Sequence, residues 1–378
     1  MAFIKKASIS KRIKNKIRKI KICIGYILRN SSTQYKSVYF LSTSELKEKS
    51  VRHLIYYFHS LGYNCYLDYS FRKCLKLKVN GIHALSLQYV FPARKKMFDF
   101  SVIATRNKQA LDSFGSDALK IHIHYLETKE GMLDISNVDE TDFYYPIGLH
   151  PDLASFSIES EVLKNAFNAD RKIGVFFAGA IASKQDGITK TYSSDSIKEK
   201  YNINNRHEIF STIKEKLPAG CIYLPDSLEI FLNDMEAGLL KNKIVLIDRN
   251  VFSIPPEKYF DILLNSNFYI HMAGVGTPFC HNQIESMLAG CIPLTQFARF
   301  FVPPFAHESD SLIFNTLDEL VFLLNNIVSG KYISHLDSMR KEIIDYYKNY
   351  YSVESFNNKL SYLFKNKIKH TNFFTWPL

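Results

Sequence analysis

Several features that would classify this chain at a glance are missing from it. Six cysteines, at 23, 65, 74, 221, 280 and 291, are scattered without a CxxC pair, so they read as buried or free thiols in a reducing compartment. No secretory signal of the usual charged, apolar and small-residue type is present. No apolar run approaches the ~20 residues needed to span a bilayer; the best candidate, Ile22 to Leu28, is interrupted by Gly25. There is no GxGxxG, which leaves a dinucleotide site without support. There is no DxD triplet either, so any phosphate is expected to be held by helix dipoles and cations rather than through a metal. Internal repeats and low-complexity segments are also lacking. The expected location is cytoplasmic, peripheral on a membrane at most.

What is present points to a folded chain of two domains. A length of 378 residues exceeds one ordinary compact core. A hydrophobic content of 46%, with 23 Tyr and 29 Phe, supplies apolar surface for both domains and excludes global disorder.

The formal net charge is +11, and its location matters more than its size. Eleven Lys and Arg fall between Lys5 and Lys36, before the first acid, Glu45; the remaining 37 basic and 37 acidic residues cancel. Within this arm, Ile13, Ile17, Ile20, Ile24 and Leu28 recur at spacings of four, three, four and four, one stripe of a helix otherwise covered by Lys and Arg. A basic amphipathic helix of this kind lies in a membrane interface, its isoleucines among acyl chains and its cations on anionic headgroups. The alternatives are a solvated tail that packs an ordinary helix on the body, and nucleic-acid binding, which the lack of interleaved aromatics disfavours.

Beyond the arm, strands and helices alternate. "SVYFLST" from Ser37, a helical stretch from Ser44 to Gly62, and "NCYLDYS" from Asn64 open a βαβ unit. Further strands are expected at His83 to Phe91, Phe98 to Thr105 and Leu119 to Leu126. A second series starts at "RKIGVFFAG" (Arg171 to Gly179) and runs through a helix at Arg206 to Leu217, strands "CIYLP" and "KIVLID", a helix at Glu257 to Leu264, and the strand "NFYIHMAG". Between the series, Asp142 to Leu153 carries two prolines and a glycine and suits a linker. The expected fold class is α/β with two Rossmann-like domains facing across a cleft. The boundaries are a basic arm at 1–35, an N-terminal domain at 36–150, a C-terminal domain at 151–330 and C-terminal helices at 331–378. In open α/β sheets ligands bind beyond the carboxyl ends of the strands.

The stretch "GVGTPFCHNQIESMLAGCIPL" (Gly274 to Leu294) follows such a strand. Gly274 and Gly276 let backbone amides approach a ligand, and a helix expected to begin near Thr277 and Pro278 turns its positive end to the loop. Glu285, one to two turns in, can accept hydrogen bonds from the adjacent hydroxyls of a sugar. This layout suits a nucleotide or a sugar phosphate.

The stretch "NSNFYIHMAGVGTPFCHNQIESMLAGCIPL", with "FVPPF" at Phe301 to Phe305 and "FFAG" at Phe176 to Gly179, resembles the donor-binding region of exostosin-like glycosyltransferases. The resemblance covers Arg171 to Asn315 and implies a GT-B enzyme: a nucleotide-sugar, most often a UDP-sugar, in the C-terminal domain, no obligatory metal, and inversion at the anomeric carbon. It implies that Glu285 grips the ribose, that Gly179 with the loop to Lys184 faces phosphate, and that Arg206 follows that turn. His271, Gly274, Gly276, Thr277, His281 and Asn282 complete the expected donor site. The family often has an arginine three residues before the glutamate; Asn282 stands there, a hydrogen-bonding donor in place of a cation.

Blander readings exist for the same residues. Glu285 as a solvated helix residue, Arg206 as part of a helix start, Lys184 as an exposed loop lysine and His271 as a satisfied core histidine are the alternatives.

An inverting transfer needs a base for the acceptor hydroxyl. Candidates in the first domain are Asp68 and, in "IHIHYLE", His124; His122 and Glu127 lie in the same run. His122 and His124 share one face of a strand and could pack there or present two metal ligands, though no partner cluster is visible. The expected acceptor is a glycan or a lipid-linked glycan such as a lipopolysaccharide or capsule intermediate, met on an anionic cytoplasmic leaflet. The Lys-, Ile- and Asn-rich composition fits an AT-rich bacterial genome. A non-catalytic glycan- or nucleotide-binding module and a nucleic-acid-associated protein are the rival classes.

Overall fold

A computed structural model describes residues 2–28, 36–41, 49–67, 74, 90–92, 100–112, 114, 117–126, 135–136, 138–150, 153–154, 156–181, 196–274 and 277–376. The chain forms two compact units. The first holds Met1–Glu127, Ser136–Pro146 and Phe356–Leu378, and the second holds Thr128–Ile135 and Ile147–Ser355.

In the first unit, strands β1 (Ser37–Phe40), β2 (Asn64–Leu67), β3 (Val90–Pro92), β4 (Val102–Thr105), β5 (Leu119–Tyr125), β6 (Phe143–Tyr144) and β13 (His370–Thr375) form one sheet in the order β3-β2-β1-β4-β5-β13-β6. Every pairing is parallel. Strand β4 reads Val-Ile-Ala-Thr and is buried throughout, the continuous apolar run that a two-sided parallel strand requires. Its described helices include α1 (Ala2–Leu28), α2 (Lys49–Ser60) and α3 (Lys108–Asp112), and most of the helix Val353–Lys365 belongs to it as well. Leu54, Ile55 and Phe58 of α2 are buried. Its end falls where the sequence places it: Gly62, at φ +79, donates to the His59 carbonyl while the Tyr63 amide reaches Phe58. That is a Schellman cap, and only glycine adopts its left-handed residue without strain. Of the strand expected over 83–91 the structure describes 90–92, and residues 42–48 at the expected start of α2 also lie outside the described residues.

The end of the chain returns to this unit. Residues 331–378, expected as helices, hold α-helices and then β13, which pairs with β5 and β6 through Phe373 and Phe374. Phe356 stacks on Tyr57 at 4.9 Å and meets Phe143 at 4.7 Å.

The basic helix α1 is continuous from residue 2, with side chains described from Asn15 on. Cys23 and Tyr26 are fully buried, and the Tyr26 hydroxyl donates to the Leu67 carbonyl at 2.7 Å. Ile17, Ile20, Ile24 and Leu28 remain exposed at 50%, 42%, 45% and 71%. The helix therefore packs through a face other than its isoleucine stripe. Among the described residues, no helix is long and apolar enough to cross a membrane.

The second unit carries β7 (Ile173–Gly179), β8 (Ile222–Tyr223), β9 (Ile244–Asp248), β10 (Ser266–Ile270), β11 (Ile292–Thr295) and β12 (Leu312–Ile313) in the order β12-β11-β10-β7-β9-β8. All are parallel. Its helices are α4 (Phe156–Ala166), α5 (Ser196–Tyr201), α6 (Arg206–Lys216), α7 (Leu228–Glu236), α8 (Pro256–Leu264), α9 (His281–Leu288), α10 (Leu317–Val328) and α11 (Leu336–Tyr350). From β7 the chain goes to the edge strand β8, returns to β9 beside β7 and then continues at β10 on the other side of β7, so β7 and β10 flank the point where strand order reverses. The α/β class with two parallel sheets is the one expected from the sequence.

At the amino edge of this sheet Arg171 is 6% exposed. Its two terminal nitrogens donate to the carbonyls of Ala166, Leu263, Ser266 and Ala289, and Nη1 lies 3.9 Å from Cys291 Sγ. Gly290, at φ +70, passes so close that a Cβ would stand 3.0 Å from Arg171 Nη2. Arg171→Met should remove the guanidinium donors from four buried carbonyls, of which Leu263 O keeps the Cys291 thiol, and destabilise the second unit by about 3 kcal/mol or more. Arg171→Lys should recover only part of this, because an ammonium cannot span the four acceptors. Urea unfolding followed by circular dichroism measures both; midpoints matching wild type would show that the guanidinium is dispensable.

Candidate functional site

Of the residues singled out, Gly179, Arg206, Gly274 and Asn282 lie together at the carboxyl ends of β7 and β10, beside the reversal point of strand order. Gly179 ends β7, and a Cβ there would meet the Phe177 ring at 2.9 Å and Arg206 Nη1 at 3.1 Å. The loop after it is held by Asp248, which accepts from the amides of Ile181 and Asn250 at 3.1 and 3.0 Å. Lys184, farther along this loop, lies outside the described residues, as does Gly276.

Arg206 opens α6 but does not cap it. The cap is Asn205, in a reciprocal box with Glu208. A cation in the first turn opposes the helix dipole, so the position is explained by what the guanidinium binds. Nε donates to Ala273 O at 2.8 Å, Nη1 to Ala180 O at 3.2 Å, and Nη2 approaches Cys280 Sγ at 3.4 Å. One buried side chain thus fastens the loop after β7, the loop after β10 and the start of α9.

The helix expected near Thr277 begins at His281, with Cys280 as N-cap. The cause is local: the Thr277 hydroxyl accepts from the Phe279 amide at 3.2 Å and holds residues 277–279 in a turn that competes with helix. Gly274 is required there, because a Cβ would lie 2.5 Å from Phe279 O. Asn282, in the first turn of α9, uses its amide nitrogen on Ala178 O at 2.8 Å and the Tyr269 hydroxyl at 2.9 Å. Tyr259 lies 3.5 Å from the same hydroxyl.

His281 and Glu285 are four apart on α9, and both hold the segment after Pro146. His281 Nδ1 lies 2.6 Å from Gly148 O, and Glu285 Oε1 accepts from the His150 amide at 2.8 Å. Glu285 is 2% exposed, so it is not the solvated helix residue of the blander reading. Burial pushes its carboxyl up to about 7, against the opposing pull of the His150 N–H. His271 is fully buried, with Nε2 3.1 Å from Ser286 Oγ and the rings of Phe297, Phe301 and Phe305 at 6.2–6.5 Å. Burial lowers its pKa to about 3, so it is a neutral core imidazole. Sequence reasoning missed His150, Tyr259 and Tyr269; of these only Tyr269, inside the quoted strand, lay near a motif.

In the first unit, His122 and His124 are in edge-to-face contact at 4.0 Å. His122 Nε2 lies 3.1 Å from Arg106 O, and His124 stacks on Phe374 at 5.2 Å. Burial lowers the pKa of both. Asp68 and Glu127 lie outside the described residues. Among the described residues there is no group of three or more His, Cys, Asp or Glu placed to hold a metal ion.

No family model matches the chain, and no curated protein matches it in sequence. Solved structures do resemble it. HepE of Anabaena in complex with UDP is 12% identical over 88% of this chain and 100% of that one, with a TM-score of 0.45. A glycosyltransferase from Rickettsia africae is 10% identical over 89% and 100%, at 0.47. Sucrose-phosphate synthase from Thermosynechococcus elongatus is 12% identical over 88% and 98%, at 0.40. At such distances, the role of any residue rests on this chain's own geometry.

The Glu285 carboxyl keeps its proton to about pH 7 in the fold, against about 4.5 without burial. Between these values the native state binds more protons than the unfolded chain. Stability from this group is therefore full below pH 4.5 and declines as pH rises through 7, by on the order of 3 kcal/mol. Glu285→Gln should flatten that slope and exceed wild type in stability at pH 8. Urea midpoints from pH 4.5 to 8 measure it, and an unchanged slope would place the buried proton elsewhere.

Proposed function

We propose that the protein is a nucleotide-sugar-dependent glycosyltransferase of GT-B type, with a UDP-sugar as donor and a glycan or lipid-linked glycan as acceptor. The observation that carries this reading is the convergence, at the reversal point of the second sheet, of two loops and a helix start fastened by buried Arg206. Rigid backbone loops beside a helix amino terminus are the means by which α/β sheets hold phosphate without a metal. In this reading, Gly179, Gly274 and Thr277 line the approach of the diphosphate, with Gly276 and Lys184 in the adjoining loops. Glu285 accepts from the ribose hydroxyls, His281 and Asn282 shape its surroundings, and His271 packs behind them.

Transfer inverts the anomeric centre: the acceptor hydroxyl attacks, its proton passes to a base, and the nucleoside diphosphate leaves. His124 is the proposed base, since a lowered pKa keeps the imidazole neutral and able to take a proton at pH 7; Asp68 is the other candidate. Acceptors in bacterial lipopolysaccharide or capsule assembly reside on the inner face of the cytoplasmic membrane, and peripheral attachment there is the proposed location.

Calorimetric titration of UDP tests the donor site. Glu285→Ala should weaken binding by roughly ten- to a hundredfold, the loss of hydrogen bonds to a charged group, with Glu285→Gln in between. The buried position adds a second expectation: Ala should also lower the melting temperature by stranding the His150 amide, whereas Gln should not. Unchanged UDP affinity in folded Glu285→Gln and Glu285→Ala proteins would remove the ribose assignment. For the base, His124→Asn should lower kcat at least ~100-fold with little change in KM; retained kcat would eliminate His124.

A further inference from the structure

We infer that α1 is a membrane-docking element whose exposed isoleucine stripe enters the interface of an anionic bilayer while its opposite face stays bolted to the first unit. This goes beyond the transferase reading and holds whatever the donor is.

Three observations carry it. The first is the split between faces. Cys23 and Tyr26 are at 0% exposure, with Tyr26 bonded to Leu67 O, whereas Ile17, Ile20, Ile24 and Leu28 stand outward over three helical turns. A solvated helix of a folded protein normally turns its apolar stripe to the core; this one turns a second, apolar stripe away from it. The second is the rim. At 3.6 residues per turn, Lys16 and Lys21 flank the stripe, and both are exposed, as is Arg18. The third is charge balance: the arm holds eleven cations and no acid before Glu45, while the rest of the chain is neutral by count.

These features select one occupant. A protein groove would accept the apolar stripe but gains little from a uniformly cationic rim, and a nucleic acid would accept the cations but not four exposed aliphatic side chains. An anionic lipid interface satisfies both, the isoleucines among acyl chains and the lysines at headgroup level. Because Tyr26 and Cys23 fix the helix to the body, docking also orients the first unit on the membrane rather than tethering it by a loose arm.

The test is flotation of the full-length protein with vesicles of phosphatidylcholine alone and of phosphatidylcholine with 40% phosphatidylglycerol. Ile17→Ser/Ile20→Ser/Ile24→Ser removes the stripe at exposed positions and should leave the melting temperature unchanged. Lys16→Gln/Arg18→Gln/Lys21→Gln removes cations. Wild type should bind the anionic vesicles at least ~tenfold more tightly than the neutral ones. The serine variant should lose at least ~tenfold, and the glutamine variant should lose affinity and salt sensitivity together. UDP affinity, measured alongside, should be the same in all three, so failure of docking and failure of the donor site are read separately. The inference is overturned if wild type ignores anionic vesicles or if the serine variant floats as well as wild type. It is equally overturned if wild type prefers single-stranded RNA to the vesicles, or if light scattering shows a dimer that the serine variant abolishes.

Discussion

The second unit is organised around a cation that has no carboxylate. Arg171 is buried, and moving a guanidinium out of water costs several kcal/mol unless its donors are answered. The two terminal nitrogens are answered by carbonyls at the ends of helices and strands: Ala166 at the last turn of α4, Leu263 at that of α8, Ala289 just past α9, and Ser266 at the first residue of β10; Nε is buried without a partner. Three helices thus turn their negative ends to one positive charge, so their dipoles stand in for the missing acid. The pKa falls to about 10 under burial, which leaves the group charged at neutral pH. Since α9 is fixed at its carboxyl end by this contact, everything its amino end presents depends on it.

Arg206 does the corresponding work at the other edge of the same sheet. Loops at strand carboxyl ends have few backbone partners of their own, and a ligand site built from them must be rigid before the ligand arrives. Arg206 supplies that rigidity to Ala180, Ala273 and Cys280, and Asn282 adds a second fastening from α9 to Ala178. Asn282 spends its amide donors on the protein, and among the described residues Arg206 is a cation of this region. Fixing α9 at both ends sets Glu285, midway along it, to within the tolerance of the two anchors.

Much of the fold was legible because it is local. Apolar runs bounded by glycine or polar residues placed β1, β2, β7, β9 and β10, and Gly62 marked the end of α2 through its left-handed conformation. The isoleucine stripe of α1 was visible at its spacing. What escaped is set by long-range pairing. The β13 sequence, His-Thr-Asn-Phe-Phe-Thr, carries no sign that it belongs beside β5, about 250 positions earlier, because strand pairing reads partners and not spacing. That Tyr26 and Cys23 anchor α1 was hidden for the same reason. At the site, type and position of Glu285, Arg206 and Asn282 could be read, but not their burial. The proline-bearing segment that reads as a linker supplies, in Gly148 and His150, the contacts that hold His281 and Glu285.

The burial of Glu285 changes what a ligand would do to it. Burial pushes the carboxyl up to about 7, so the group titrates near neutrality, and one oxygen already receives the His150 amide. A ribose offers two adjacent hydroxyl donors, which favour the ionised form just as the amide does. In the proposed reading, binding of the nucleotide would therefore draw the pKa down and expel part of a proton, so the affinity gained from the diol is reduced by the work of ionising a buried group. That work is smallest at pH above 7, where the proton has already left, and grows as the medium acidifies. An exposed carboxylate at the same point would titrate far below neutrality and lack this dependence. The His150 amide pulls against the upward shift, so the segment at 148–150 holds one Glu285 oxygen while burial keeps the carboxyl titrating near neutrality.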